Sequence, residues 1–295
     1  MTELLPQLIA SSILLGGIYG LMSMGLTLIF GVMRIVNFAH GEFLMLAMYL
    51  AVGLAACGID PYMGLLIAIP VSLIFGFAVY KCVVSPILDQ PHVVQIFTTL
   101  GLSIVLQNAA LLMWGANFRQ LQLPYGDRVI LVFGAAITLP QVIAFAAAGM
   151  FAAMLFLAIR FTYLGKAIRA TAEDRKAATL MGIDTNRICL LTFCVGTACV
   201  AVSGVLMAPL YATYPTIGAN LALTAFVVVV LGGMGSIGGA LLGGMIVGVL
   251  DVAGGYAVGT SWKEVLYFIV FITVLLIRPT GLFGIRGAEE FDEAR

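Results

Sequence analysis

Apolar residues fill this chain in long unbroken runs, not in the alternating or 3.6-residue stripes of a water-soluble domain. Runs near the 20 or so residues that a helix needs to cross a hydrocarbon core lie at roughly 7–33, 41–58, 62–80, 93–113, 138–159, 188–209 and 262–278. Between the last two, Leu221 to Val252 is apolar throughout but broken by the glycine-rich LGGMGSIGG at 231–239. That stretch reads as two spans or one re-entrant pair.

Composition fixes the solvent. The chain is 62% hydrophobic and 9% charged, against about 25% charged for a soluble domain. It contains no polar tract long enough for a soluble second domain, so all of 1–295 reads as one membrane domain of the all-α, polytopic class. The first residues, MTELLPQ, carry Glu3 and no Lys or Arg, which differs from the basic start of a cleaved signal peptide; the first run is therefore expected to be a retained span. The five cysteines show no CxxC pair and no histidine at ligand spacing, so they read as small apolar packing residues.

Charge orients the spans. With nine crossings, the N-terminus outside and the C-terminus inside, Arg34, Lys81, the six cations between 160 and 187, Arg278, Arg286 and Arg295 fall on the inner side, and only Arg119, Arg128 and Lys263 fall outside. Eight crossings would place Arg278 and Arg286 outside. The positive-inside rule favours nine.

Two segments, 26–53 and 226–254, each read as an apolar helix, a short polar or glycine-rich break, and a second helix. Paired broken helices of this kind often line transport pathways. Gly235, Gly239 and Gly243 recur every four residues, as do Gly244 and Gly248, a spacing that lets a neighbouring backbone approach closely. A phosphate-cradling loop would need GxxxxGK[ST], which is absent, so the chain is not expected to hydrolyse nucleotide and no catalytic or metal-ligating set is assigned.

The stretch 160–187, RFTYLGKAIRATAEDRKAATLMGIDTNR, concentrates nine charges. Its alanines favour helix, Arg169 and Glu173 are spaced as an i,i+4 pair, Gly182 supplies a stop, and Asp184 or Thr185 can cap the next helix. A single helix from Gly165 to Met181 would be about 25 Å long. Ala167, Ile168, Ala170, Ala172, Ala177, Ala178, Leu180 and Met181 give it a small apolar surface suited to a groove on another protein. The simpler alternative is a solvated connector.

The pattern T-x-x-G-K-A-I-R-A-x-A-E-D-x-x-A-A-x-x-x-G-I at Thr162 to Ile183 resembles the cytoplasmic coupling loop of bacterial ABC importer permeases of the branched-chain amino-acid type. GGIYGLMSMGLTLIFGVMRIVNFAHGEFLML (16–46), TTLGLSIVLQN (98–108), SGVLMAPLY (203–211), LGGMGSIGGALLGG (231–244) and RPTGLFG (278–284) stand in that family's order. Lys166 sits where the family often has Arg. The resemblance implies a non-catalytic, multi-pass permease of the bacterial inner membrane. Its partners would be a second related permease, two ATP-binding subunits that use ATP and Mg, and a periplasmic solute-binding protein. It also implies that Gly165, Arg169, Ala170, Glu173, Asp174, Ala177, Ala178, Gly182 and Ile183 belong to the ATPase-coupling motif.

A solute crossing hydrocarbon needs polar partners. Asn37, His40 and Glu42 in the first break, with Thr98, Thr99, Gln107 and Asn108, are the pathway candidates, and Asp251 is a further one. Against this, 37–42 can form a simple interfacial turn, and Thr98 and Thr99 can bond to their own helix carbonyls. Close relatives of the family carry urea, short amides or aromatic acids, and nothing in the residues decides among these cargoes. An ion-coupled secondary transporter would rely on Glu42 or Asp251 and would leave 160–187 unexplained. A passive channel explains neither that stretch nor the glycine spacing, and no nucleic-acid partner is implied.

Overall fold

The computed structural model describes residues 4–132, 134–259, 262–278 and 280–284; Glu3, Arg286 and Arg295 lie outside them. Apolar runs become helices because nothing in hydrocarbon competes for the backbone. In order these are α1 (Leu4–Met33), α2 (His40–Ala56), α3 (Leu65–Val79), α4 (Ser85–Ile87), α5 (His92–Trp114), α6 (Leu139–Phe161), α7 (Tyr163–Glu173), α8 (Arg175–Leu180), α9 (Thr185–Met207), α10 (Ile217–Gly232), α11 (Ile237–Val258) and α12 (Lys263–Ile277). A π-helical turn, Tyr80–Val84, joins α3 to α4 so that Leu65–Ile87 forms one apolar span. Pro86 explains the turn: it has no N–H to donate back along the helix, and the ladder shifts by one residue.

Among the described residues six helices are long and apolar enough to cross a membrane, and α2 and α10 are shorter apolar helices of 17 and 16 residues. The segment 221–252 resolves into two helices, α10 and α11. The turn between them, 233–236, holds Gly233 and Gly235 at φ +104° and +84°. One departure from an all-helical reading is a hairpin, β1 (Val129–Val132) and β2 (Ala135–Thr138), paired antiparallel with Val129 opposite Thr138. Gly134 at φ +84° turns it. Thr138 and Gln141 then form a capping box that starts α6.

Contacts sort the helix ends into two sets. At one end Gln7 bonds Ala136 through both its amide atoms (2.9 and 2.7 Å), the Tyr62 hydroxyl donates to the Pro140 carbonyl (3.0 Å), and Arg119 pairs with Thr213 in an isolated β-bridge. Asp60 receives the Tyr125 hydroxyl there. Burial, with Asp60 close by, pushes both phenols well above their ordinary range, so they stay neutral. At the other end Arg175 meets Asp89, the Tyr80 hydroxyl reaches the Asn186 carbonyl, and the Leu282 and Phe283 amides donate to the Leu231 and Gly232 carbonyls. Successive apolar helices alternate between these ends.

Glycine sets the packing of α1, α10 and α11. A Cβ on Gly244 would collide with the backbone of Gly20, and one on Gly248 would lie 2.5 Å from the Gly16 Cα. On another face of α11, a Cβ at Gly239 would strike the Gly232 carbonyl and one at Gly243 would lie 2.6 Å from the Val228 carbonyl. The two glycine series therefore seat α11 against two different helices, α1 and α10. Gly235 belongs to the turn before α11 and lies against Gly31.

Gly244→Ala should lower the thermal midpoint of the detergent-solubilised protein, since overpacking a tight core costs about 1–3 kcal/mol. Gly53→Ala, at a helical position with open space around it, should hold or raise the midpoint. Thermal size-exclusion chromatography of the two variants measures the difference.

Candidate functional site

The charged stretch forms two short helices at the end of the bundle that carries Asp89 and Asn186. The single helix over 165–181 does not form, because Asp174 (φ −148°, ψ 108°) leaves helical geometry and its carboxylate accepts the Ala177 amide as the N-cap of α8. Thr162 caps α7 by accepting the Gly165 amide, and Asp184 caps α9 by accepting the Arg187 amide. Gly182 at φ +83° ends α8. The predicted Arg169–Glu173 pair is absent from the ion pairs of the described residues. Arg169 instead donates to the Ile159 carbonyl, with its second guanidinium nitrogen 3.5 Å from the Arg160 carbonyl oxygen. These are free carbonyls at the end of α6, which a cation satisfies better than it satisfies an exposed carboxylate.

The candidate surface divides in two. Gly165, Ala167, Ile168 and Ala178 are buried against the bundle, and a Cβ on Gly165 would strike the Ile159 carbonyl. Ala172 and Ile183 are part-buried. Ala170, Glu173, Asp174, Ala177 and Gly182 are exposed, beside Leu180 and Met181 at 88% and 83% exposure. A small apolar patch rimmed by charge thus projects from the end of the fold.

Asn37, His40 and Glu42 do not form a turn at the end of the helices. Arg34, at φ 53°, ends α1 and donates its amide to the Phe30 carbonyl. The chain then runs back into the bundle, and α2 starts at depth. His40 Nε2 lies 3.1 Å from the carbonyl of Met22, eleven residues before the end of α1. That is about 16 Å along the helix. A carbonyl only accepts, so Nε2 carries the proton, and in the neutral ring Nδ1 is a bare acceptor. Ser103, eleven residues into α5, donates to Glu42 Oε1 at 3.2 Å. The Thr99 hydroxyl lies 3.3 Å from the Val36 carbonyl and 3.0 Å from that of Gln95 in its own helix.

Asn37, His40, Glu42 and Thr99 are 1–3% exposed, and Ser103 is part-buried. Even so, Asn37 Nδ2, His40 Nδ1 and Glu42 Oε2 have no hydrogen-bond partner among the described residues. Gly41 packs so tightly on Gly218, at the start of α10, that a Cβ would collide with the Gly218 carbonyl. Two helix N-termini therefore meet beside the Glu42 carboxylate, and their dipoles favour negative charge there. A lone hydrogen bond between membrane helices contributes about 0.6 kcal/mol, so Ser103 orients Glu42 without locking α5.

Thr98 is not brought to this cluster. It is part-buried beside Thr99 and donates to the Val94 carbonyl; Asn108 is exposed and bonds to Ile104. Asp251 is also separate, paired with Lys263 at 2.9 Å near the opposite end of the bundle. Ser103 was missed by sequence reading, although it lies one helical turn after Thr99 on the same face. Asp89 and Gln95 carried no sequence signal.

Three comparisons bear on identity. The chain matches the family model described as "Branched-chain amino acid transport system / permease component" over residues 8–275. It is 34% identical over 292 residues to the high-affinity branched-chain amino acid transport system permease protein LivH of Salmonella typhimurium, covering 94% of this chain and 95% of that protein. It is 33% identical to LivH of Escherichia coli (strain K12) over the same shares, and 35% identical over 295 residues to BraD of Pseudomonas aeruginosa, again 94% and 95%. No solved structure matches the chain at a significant level.

The two faces of α8 separate by mutation. Ala178→Glu buries an unpaired charge and should cost on the order of 3 kcal/mol, seen as lost folded yield in detergent. Ala177→Glu, on the exposed side, should leave yield and thermal midpoint at the unmutated level.

Proposed function

Because this chain belongs to the family of branched-chain amino acid transport permease components, we propose that it is the membrane-spanning subunit of an ATP-driven importer of those amino acids. It crosses the bacterial inner membrane nine times, N-terminus outside and C-terminus inside. The alternation of helix ends and the excess of Arg and Lys at the α7–α8 end support this orientation. The chain is not itself an enzyme. ATP is hydrolysed by two partner subunits that dock on α7–α8, a second permease completes the membrane unit, and a solute-binding protein delivers cargo at the Asp60–Arg119 end.

The observation that carries the reading is the α7–α8 element. Ala170, Ala177, Leu180 and Met181 project an apolar surface, while Thr162 and Arg169 tie α7 to the Ala158 and Ile159 carbonyls of α6 and Asp174 caps α8. A rigid foot of this kind moves the spans attached to it, α6 and α9, when a partner moves the foot. Alternation between inward-open and outward-open states follows if nucleotide biases one of them.

Translocation passes the Asn37–His40–Glu42 cluster. A zwitterion leaving water loses strong solvation. A buried carboxylate oxygen, an imidazole acceptor and an amide donor without partners are groups that can replace it. The ion-coupled alternative is weakened at Asp251, whose charge Lys263 neutralises.

Two outcomes test this reading. Leu180→Arg should leave the chain folded in the membrane but cut leucine uptake and recovery of the ATP-binding subunit about tenfold or more, as for loss of an interface anchor. Uptake at the unmutated level would remove α8 from the docking surface. Glu42→Gln should lower radiolabelled leucine uptake about tenfold with the complex intact, and unchanged kinetics would remove Glu42 from the pathway.

A further inference from the structure

α5 is the least embedded of the long helices, with most of its surface exposed. It is held to the body at a few points. Thr99 and Ser103 reach the 34–42 segment, and Trp114 stacks on Tyr49 with ring centroids 4.5 Å apart. At its first turn, the buried Gln95 amide nitrogen lies 3.2, 3.2 and 3.0 Å from the carbonyls of Ile87, Leu88 and Gln90. The turn 88–91 and the start of α5 therefore move as one body. Pro91 precedes the helix, and Gly115, at φ +77°, ends it. Gly115 is a place where the chain can change direction, whereas Pro91 lies inside the bonded turn.

From that turn Asp89 meets Arg175, the first residue of α8, at 3.2 Å. The other guanidinium nitrogen of Arg175 donates to Asn186 Oδ1 at 2.9 Å. One side chain thus touches α8, the start of α9 and the turn that carries α5. An ion pair as exposed as this one contributes little to stability, so its loss leaves the fold standing. What it does supply is a contact between the α7–α8 foot and a helix that covers Glu42.

We propose that the Arg175–Asp89 pair transmits movement of the α7–α8 foot to α5, which then swings off the Asn37–His40–Glu42 cluster. Arg175, Asp89 and Gln95 are in this account positioning residues for transport; none touches the solute. The inference rests on the reading of α7–α8 as the ATPase-docking element. Coupling of this kind requires an element with two arrangements that both sites bias. In the proposal α5 is that element, tied to the foot at its inner turn and to Glu42 by a single hydrogen bond at mid-length.

The test uses the whole importer in proteoliposomes, with ATP-binding subunits and solute-binding protein present. Asp89→Arg should cut uptake tenfold or more while the ATP-binding subunit co-purifies in its usual ratio. The swapped pair Asp89→Arg with Arg175→Asp should recover at least a third of uptake. Uptake within twofold of the unmutated level in Asp89→Arg, or a swapped pair no better than Asp89→Arg alone, overturns the proposal. Failure of the ATP-binding subunit to co-purify even with the unmutated chain overturns the docking reading instead.

A second readout is independent of uptake. Thr99→Cys, in a chain whose five native cysteines are replaced, should label with a thiol reagent at least fivefold faster when ATP and vanadate trap the complex. Asp89→Arg should abolish that acceleration. The same acceleration with and without Asp89→Arg contradicts the relay.

Discussion

Every backbone N–H and C=O inside a bilayer must find a partner within the protein, and the segment between α1 and α2 is where that demand falls hardest. Residues 34–39 run back into the bundle with backbone bonds only at their two ends, where the Arg34 amide meets the Phe30 carbonyl and the Asn37 and Ala39 carbonyls accept amides of α2. Side chains supply part of what is left: Asn37 Oδ1 accepts the Ala39 amide and Thr99 reaches the Val36 carbonyl, while beyond the break His40 binds the Met22 carbonyl. A break of this kind survives only if α1, α5, α9 and α10 enclose it. The close seating of α1, α10 and α11 through glycine serves that enclosure.

The same constraint links packing to transport. Glycines at 16, 20, 232, 239, 243, 244 and 248 let three helices approach at backbone distance, a rigid body with little slack. Against it stand two less embedded parts, the α7–α8 foot and α5. In the proposed importer one of these would face a partner and the other covers buried polar groups. The polar cluster lies between the core and one attachment, since Glu42 touches α5 and the N-terminus of α10 at once.

Much of this was legible in the residues. Apolar run length gave most of the long helices to within a few positions, though the run 62–80 stopped seven short of Ile87; the charge count gave the orientation now proposed, and glycine spacing identified α11 as a packing helix. The misses have physical causes. Sequence spacing suggested one helix over 165–181, but Asp174 has a better use as a cap. It suggested Arg169–Glu173, but the free carbonyls of α6 compete for the guanidinium. The inward return of residues 34–39 has no periodic signature, and the depth of His40 depends on a contact with Met22 in another helix. Asp251 looked like a pathway acid because its partner, Lys263, reaches it only through the turn after α11. The 129–138 hairpin hid in an apolar stretch whose one clue was Gly134.

The central claim is that the outward face of α8 meets the ATP-binding subunit. A photo-reactive amino acid at position 180, activated in membranes containing the assembled importer, tests it most directly. The account predicts an adduct whose mass is that of this chain plus the ATP-binding subunit, formed at 180 and absent when the same probe stands at position 112 on the exposed face of α5. Cross-linking at 112 to the ATP-binding subunit, with only lipid or solvent adducts at 180, would contradict it.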